Sequence, residues 1–114
     1  MFGFNQPVVP EVEASEVYEA LNNKNDVVII DVRTPQEFSR GKIAGSINLP
    51  IDLVDEKIEE IVADKNKTVY VYCLSGSRSN MAVDTMVKRG YKNVFSMKSG
   101  LLAWRSKGYS LQNP

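Results

Sequence analysis

No histidine occurs in this chain. That excludes Ser-His and Cys-His catalysis and most zinc chemistry, so an enzyme built from this sequence must activate its nucleophile without imidazole. Cysteine occurs once, at Cys73. A single cysteine rules out an internal disulfide, a Cys-x-x-Cys redox pair and any multi-cysteine zinc site, and it fits a reducing cytoplasm. An excess of either charge is lacking too: 14 Lys and Arg balance 14 Asp and Glu. Nothing in that balance points to nucleic acid or to an acidic membrane surface. No uncharged run exceeds ten residues, too short for a membrane-spanning helix. Met1 to Glu13 shows no basic start followed by an apolar core, so no secretory signal is expected.

What is present reads as one domain over residues 11–110, preceded by a loose leader over 1–10 in which Pro7 and Pro10 resist helix. Strand and helix signals alternate along it. Ala14, Val17, Tyr18 and Leu21 recur at helical spacing until Asn22 and Asn23. Val27 to Asp31 is a β-branched run without polar alternation, the pattern of a strand covered on both faces. Thr34, Pro35 and Glu37 form a capping-box signature for a short helix that Gly41 stops. Ser46 to Leu49 is a weak strand. Val54, Ile58, Ile61 and Val62 make one apolar helix face, and the acids between them form a solvated face rather than a metal site. Thr68 to Tyr72 is a strand and Ser79 to Arg89 a helix, with Val83, Met86 and Val87 inward and Gly90 as its cap. Val94 to Met97 and Gly100 to Lys107 supply the last strand and helix. Met81, Met86, Met97 and Trp104 read as core. The fold class is α/β: a mostly parallel central sheet of about five strands, flanked by helices on both faces.

Cys73 stands at the carboxyl end of a predicted buried strand, where open parallel sheets bind ligands. Leu74, Ser75, Gly76, Ser77 and Arg78 separate it from the helix expected at Ser79. A lone cysteine often only fills a core. A tight loop entering a helix is different, because its backbone N–H groups converge with the positive end of the helix dipole into an anion nest. Gly76 gives that loop the conformational freedom it needs. Ser75 and Ser77 offer hydroxyl donors, and Arg78 brings permanent positive charge. Such a nest favours a thiolate over a thiol at ordinary acidity. The same reading requires a sulfur open to solvent; a thiol sealed from solvent would argue against an enzyme.

The segment Cys73-Leu74-Ser75-Gly76-Ser77-Arg78-Ser79 resembles the active-site pattern of the rhodanese family, Cys-x-Ser-Gly-x-Arg-Ser/Thr. Asp31 to Phe38 with Gly41 to Pro50 is similar to that family's Asp-Val-Arg…Glu-Phe…Gly-His-Ile…Asn…Pro signature. Ser99 to Trp104, then Gly108, resembles its closing Gly-Gly…Trp…Gly. The resemblance implies a single rhodanese-like domain that moves a sulfane sulfur from a donor, thiosulfate or a persulfide, to a thiol or cyanide through a Cys73 persulfide. It implies two displacements and ping-pong kinetics, with no cofactor and no metal. Its partners would be a small sulfur donor and a thiol acceptor, a protein thiol included, and small size favours a monomer.

Three departures stand out. Leu74 occupies a position that is basic in many members, which predicts weak thiosulfate activity and another natural donor. Lys42 replaces the usual histidine, with little catalytic effect expected. Ser99 replaces a glycine beside the site. Among supporting residues, Asp31 and Arg33 lie at a strand end beside the pocket or form a structural ion pair, the latter favoured. Glu37 is chiefly a cap that could also pair with Arg78. Arg78 reads equally as a brace of the loop and as a substrate contact, and Lys98 adds positive potential at the mouth or is simply solvated. Two other functions compete: a non-enzymatic rhodanese-like binding module, and a cysteine phosphatase or arsenate reductase. The spacing Cys-x4-Arg opposes the latter pair, since those enzymes generally use Cys-x5-Arg, and here the seventh position is Ser79.

Overall fold

Alternation within each strand sets the architecture. In β2 (Val27–Asp31), Ile29 and Ile30 point to opposite faces and both are buried. β4 (Thr68–Tyr72) does the same with Val71 and Tyr72. A strand buried on both faces needs a layer on each side. The computed structural model, which describes residues 6–113, supplies both.

The remaining strands are β1 (Glu11–Val12), β3 (Ile47–Asn48) and β5 (Asn93–Met97). The sheet order is β1-β5-β4-β2-β3, and every pairing in it is parallel. α3 (Val54–Ile61) and α4 (Ser77–Lys88) cover one face, where Val54, Ile58, Ala82, Val83 and Met86 meet Ile30, Val69 and Val71. α1 (Ala14–Asn22) and α5 (Gly100–Ser106) cover the other, where Val17, Leu101 and Trp104 meet Ile29 and Tyr72. α2 (Pro35–Ser39) is a short surface helix held by the expected capping box: Glu37 N donates to Thr34 Oγ1 at 3.2 Å, and Thr34 N donates to a Glu37 carboxylate oxygen at 2.9 Å.

Several expectations need correction. Val87, Met81 and Ile61 do not face the core; they are 44%, 53% and 38% exposed. At 100° per residue, Val83 and Met86 take the buried stripe of α4 and carry Val87 past its edge. β1 was not expected at all. Its two residues are too few for a periodic signal, and only its pairing with β5 defines it. The leader expected over 1–10 lies partly outside the described residues. Within them, Val9 packs against the core and Pro10 O accepts from Ser96 N at 2.9 Å. At the other end, Lys42 and Gln112 form an antiparallel bridge.

The register fixes what the site can contain. Asp31 lies opposite Tyr72 and Asn48, and Val71 opposite Ser96. All strands run the same way, so the segments after β2, β4 and β5 emerge at one edge. Those segments carry Arg33 to Glu37, Cys73 to Arg78, and Lys98 to Gly100.

Candidate active site

Gly76 makes the cysteine loop shorter than its sequence suggests. With φ at 108° it takes a left-handed conformation and caps α4, which starts at Ser77 rather than Ser79. Side chains other than glycine rarely adopt that angle. Arg78 and Ser79 therefore sit in the first helical turn, and only Leu74, Ser75 and Gly76 lie between Cys73, just past β4, and the helix.

The backbone converges on the sulfur. Gly76 N donates to Cys73 Sγ at 3.1 Å and Ser79 N at 3.4 Å, both within reach for a sulfur acceptor. Ser79 Oγ lies 3.6 Å from Sγ, donates to Gly76 O at 3.1 Å, and stands 2.8 Å from Ser96 Oγ. Ser79 and Ser96 are fully buried. Ser75 and Ser77, the expected hydroxyl donors, are both exposed and neither is hydrogen-bonded to the sulfur; the hydroxyl beside it is that of Ser79, with Ser96 behind it. Ser96 was missed. Its only sequence signal is a serine alternating with apolar residues in a buried strand.

α5 holds the loop from below. Leu101 N donates to Cys73 O at 3.0 Å and Leu102 N to Leu74 O at 3.1 Å. This approach requires Gly100: a Cβ there would stand 2.4 Å from Cys73 O and 2.6 Å from Leu74 O, far inside van der Waals contact. Ser99 precedes it with φ at 60°, a left-handed angle that costs a non-glycine residue energy.

Arg78 is fully engaged. Its Nη1 and Nη2 bond the two oxygens of Glu37 at 2.8 and 3.1 Å. That bond holds the Glu37 carboxyl down at about 2 against partial desolvation. Asp31 and Arg33 form a second, buried fork, with Arg33 Nη2 at 2.7 Å from Asp31 and 2.6 Å from Gly41 O. Asn48 ties the end of β2 by donating to Asp31 O and Arg33 O. Tyr72 OH meets Ile43 N and Ser46 Oγ, each at 3.0 Å; burial, with Asp31 nearby, pushes its phenol well above the ordinary range.

Two hollows flank the loop. One, of about 360 Å³, is lined by Ser75, Gly76, Ser77, Asn80, Lys98 and Ser99 among others. The second, of about 260 Å³, is lined by Arg33, Glu37, Arg40, Gly41, Leu74, Leu101, Arg105 and Leu111. Lys98 is thus at the mouth and exposed. The expected open thiol is not found: Cys73 has no exposed surface. The loop closes over it, with Leu74, Ser75 and Ser77 on the solvent side. No cluster of acids or cysteine capable of holding a metal occurs among the described residues.

Comparison with known proteins places this geometry. The model of the rhodanese-like domain matches residues 13–107. A sulfurtransferase of Allochromatium vinosum is 32% identical over 107 residues, covering 94% of this chain and 98% of that one. A rhodanese-related protein of Thermoplasma volcanium has a crystal structure that superposes with a TM-score of 0.79 at 32% identity, covering 90% of this chain and 97% of that one. A Rhodopseudomonas palustris protein described as a possible tyrosine phosphatase superposes with a TM-score of 0.83 at 25% identity, covering 96% of this chain and 100% of that one. Three further relatives are longer, and the chain spans 55%, 64% and 61% of their lengths.

Proposed function

The chain belongs to the rhodanese-like domain family, and from that premise we propose that it is a sulfurtransferase working through a persulfide on Cys73. The observation that carries this reading is the pair of amides, Gly76 N and Ser79 N, aimed at one sulfur at the N-terminus of α4. Such donors stabilise negative charge on a thiolate, and on the terminal sulfur of a persulfide. The name of the Allochromatium relative supports transferase chemistry in general.

The Cys73 thiolate attacks the outer sulfur of the donor. A new S–S bond forms, the donor's S–S bond breaks, and sulfite, or a thiolate if the donor is a persulfide, leaves with the electron pair. An acceptor thiolate or cyanide then attacks the terminal sulfur and Cys73 departs as thiolate, so each half-reaction is a displacement with no net oxidant. Arg78, with both terminal nitrogens on Glu37, braces the loop rather than gripping substrate. Asp31 and Arg33 fix the end of β2 beside it. Leu74 puts an apolar side chain, not a cation, at the position directly after the nucleophile, so a persulfide suits the site better than thiosulfate. Because Cys73 is covered, turnover requires the Leu74–Ser77 segment to part.

That same burial favours a second reading, a rhodanese-like binding module whose cysteine is structural. The likeness to a possible tyrosine phosphatase raises a third, which the six-residue span from Cys73 to Arg78 opposes. One experiment separates them. After incubation with thiosulfate or an organic persulfide, the intact mass rises by one sulfur atom, Cys73→Ser abolishes the gain, and a reductant removes it. A protein that takes no sulfur from either donor is not a sulfurtransferase, and one that rapidly hydrolyses a phosphate ester instead belongs to the third reading.

A further inference from the structure

Charge bookkeeping in the hollow beside Leu74 gives a result that its individual residues do not. Four charged side chains there or touching it cancel in pairs: Arg33 with Asp31, and Glu37 with Arg78. Arg40 and Arg105 remain. Both are exposed, both line the hollow, and neither has a carboxylate partner among the described residues. The same hollow is also lined by the apolar side chains of Leu74, Leu101 and Leu111. The hollow adjoins the cysteine loop directly, since Leu74 follows Cys73 and Leu101 N bonds Cys73 O.

Two uncompensated guanidinium groups sharing a hollow with aliphatic side chains select a molecule with an anionic end and a carbon chain. Arginine forks match carboxylate geometry in particular. A volume of about 260 Å³ admits a small organic molecule. Thiosulfate has no apolar part to lay against the leucines. We propose that Arg40 and Arg105 are specificity residues that bind the carboxylate of a small aliphatic thiol, the acceptor that discharges the Cys73 persulfide. This rests on the sulfurtransferase reading above. The step balances: the acceptor thiolate bonds to the terminal sulfur, the Cys73–S bond breaks, and the products are the carboxylated persulfide and the Cys73 thiolate.

The test uses protein loaded with sulfur and confirmed by intact mass. Its discharge is followed with 3-mercaptopropionate and with 2-mercaptoethanol, which differ chiefly in the carboxylate. The loaded wild type prefers 3-mercaptopropionate, measured as the ratio of the two second-order rates at matched thiolate concentration. The double variant Arg40→Gln/Arg105→Gln lowers that ratio about tenfold, the size expected for two partly exposed charge contacts. Arg105→Glu shifts the preference towards cysteamine, whose amine is cationic. A ratio does not depend on how much of a variant folds. A loaded wild type without the preference, or a double variant that keeps it, overturns the inference while leaving sulfur transfer intact. Variants that impair only thiosulfate uptake and leave the acceptor ratio unaltered also overturn it, by assigning the arginines to the donor. A wild type that never loads sulfur overturns the parent reading, and this one with it.

Discussion

Glu37 accepts from both terminal nitrogens of Arg78 and from the Thr34 amide. Its carboxyl sits at about 2 against an ordinary 4.5, so the unfolded chain takes up a proton that the folded chain refuses. The stability this contributes is complete above about pH 5 and is lost as pH falls through the range down to about 2. Thermal melts between pH 2 and pH 6 should show that fall, and Glu37→Gln should make it shallower. It should not flatten it, because Glu59, bonded by Arg89 and Lys65, is lowered in the same direction. Leu74 carries a different prediction: Leu74→Arg lowers the KM for thiosulfate roughly two- to fivefold, the worth of one exposed charge contact. An unchanged KM removes Leu74 from donor choice. Ser99 holds a left-handed angle, so Ser99→Gly should raise stability by about 1 kcal/mol in denaturant melts. The capping box at Thr34 and Glu37 was readable because its residues are three apart in sequence. The Glu37–Arg78 pair, 41 residues apart, was open as a second role for Glu37 and is formed; the Ser79–Ser96 contact, 17 apart, was not foreseen, because no local pattern reports such a distance.

α4 and α5 meet at the cysteine loop from opposite sides. α4 sends amides to the sulfur, and α5 sends amides to the carbonyls of Cys73 and Leu74. The loop is therefore fixed by two helix starts, and Gly100 is where α5 presses closest on its carbonyls. Gly100→Ala should cost about 2 kcal/mol or more, read in a thermal melt. It should also reduce persulfide loading of the protein that still folds, because the added methyl group pushes on the Cys73 and Leu74 carbonyls. Loading equal to wild type would show the loop tolerates the shift. Helix existence was legible throughout from period and caps. The start of α4 was not, since Ser77, Arg78 and Ser79 are all acceptable first-turn residues and only the backbone angle of Gly76 decides among them. Inward faces were legible where two buried positions bracket a turn, as in Val83 and Met86, and failed at the edges, as in Val87 and Ile61.

At the scale of the whole molecule, the parallel sheet gathers three loops at one edge, and each brings one element of the site. The fold class was legible because buried parallel strands carry no alternation and the connections are short. The order β1-β5-β4-β2-β3 was not, because β1 and β3 are two residues each and are defined by their neighbours. The burial of Cys73 was also hidden, since a nest and a closed nest share one sequence. It predicts that alkylation by a bulky maleimide lags behind alkylation by the small N-ethylmaleimide, each taken relative to its rate with a free thiol. Equal rates would mean that the thiol is freely reached. Burial also sets how the protein ages in air. Peroxide meets the sulfur only as often as the cover parts, so irreversible oxidation during storage should track the breathing of the Leu74–Ser77 segment rather than the intrinsic reactivity of an open cysteine.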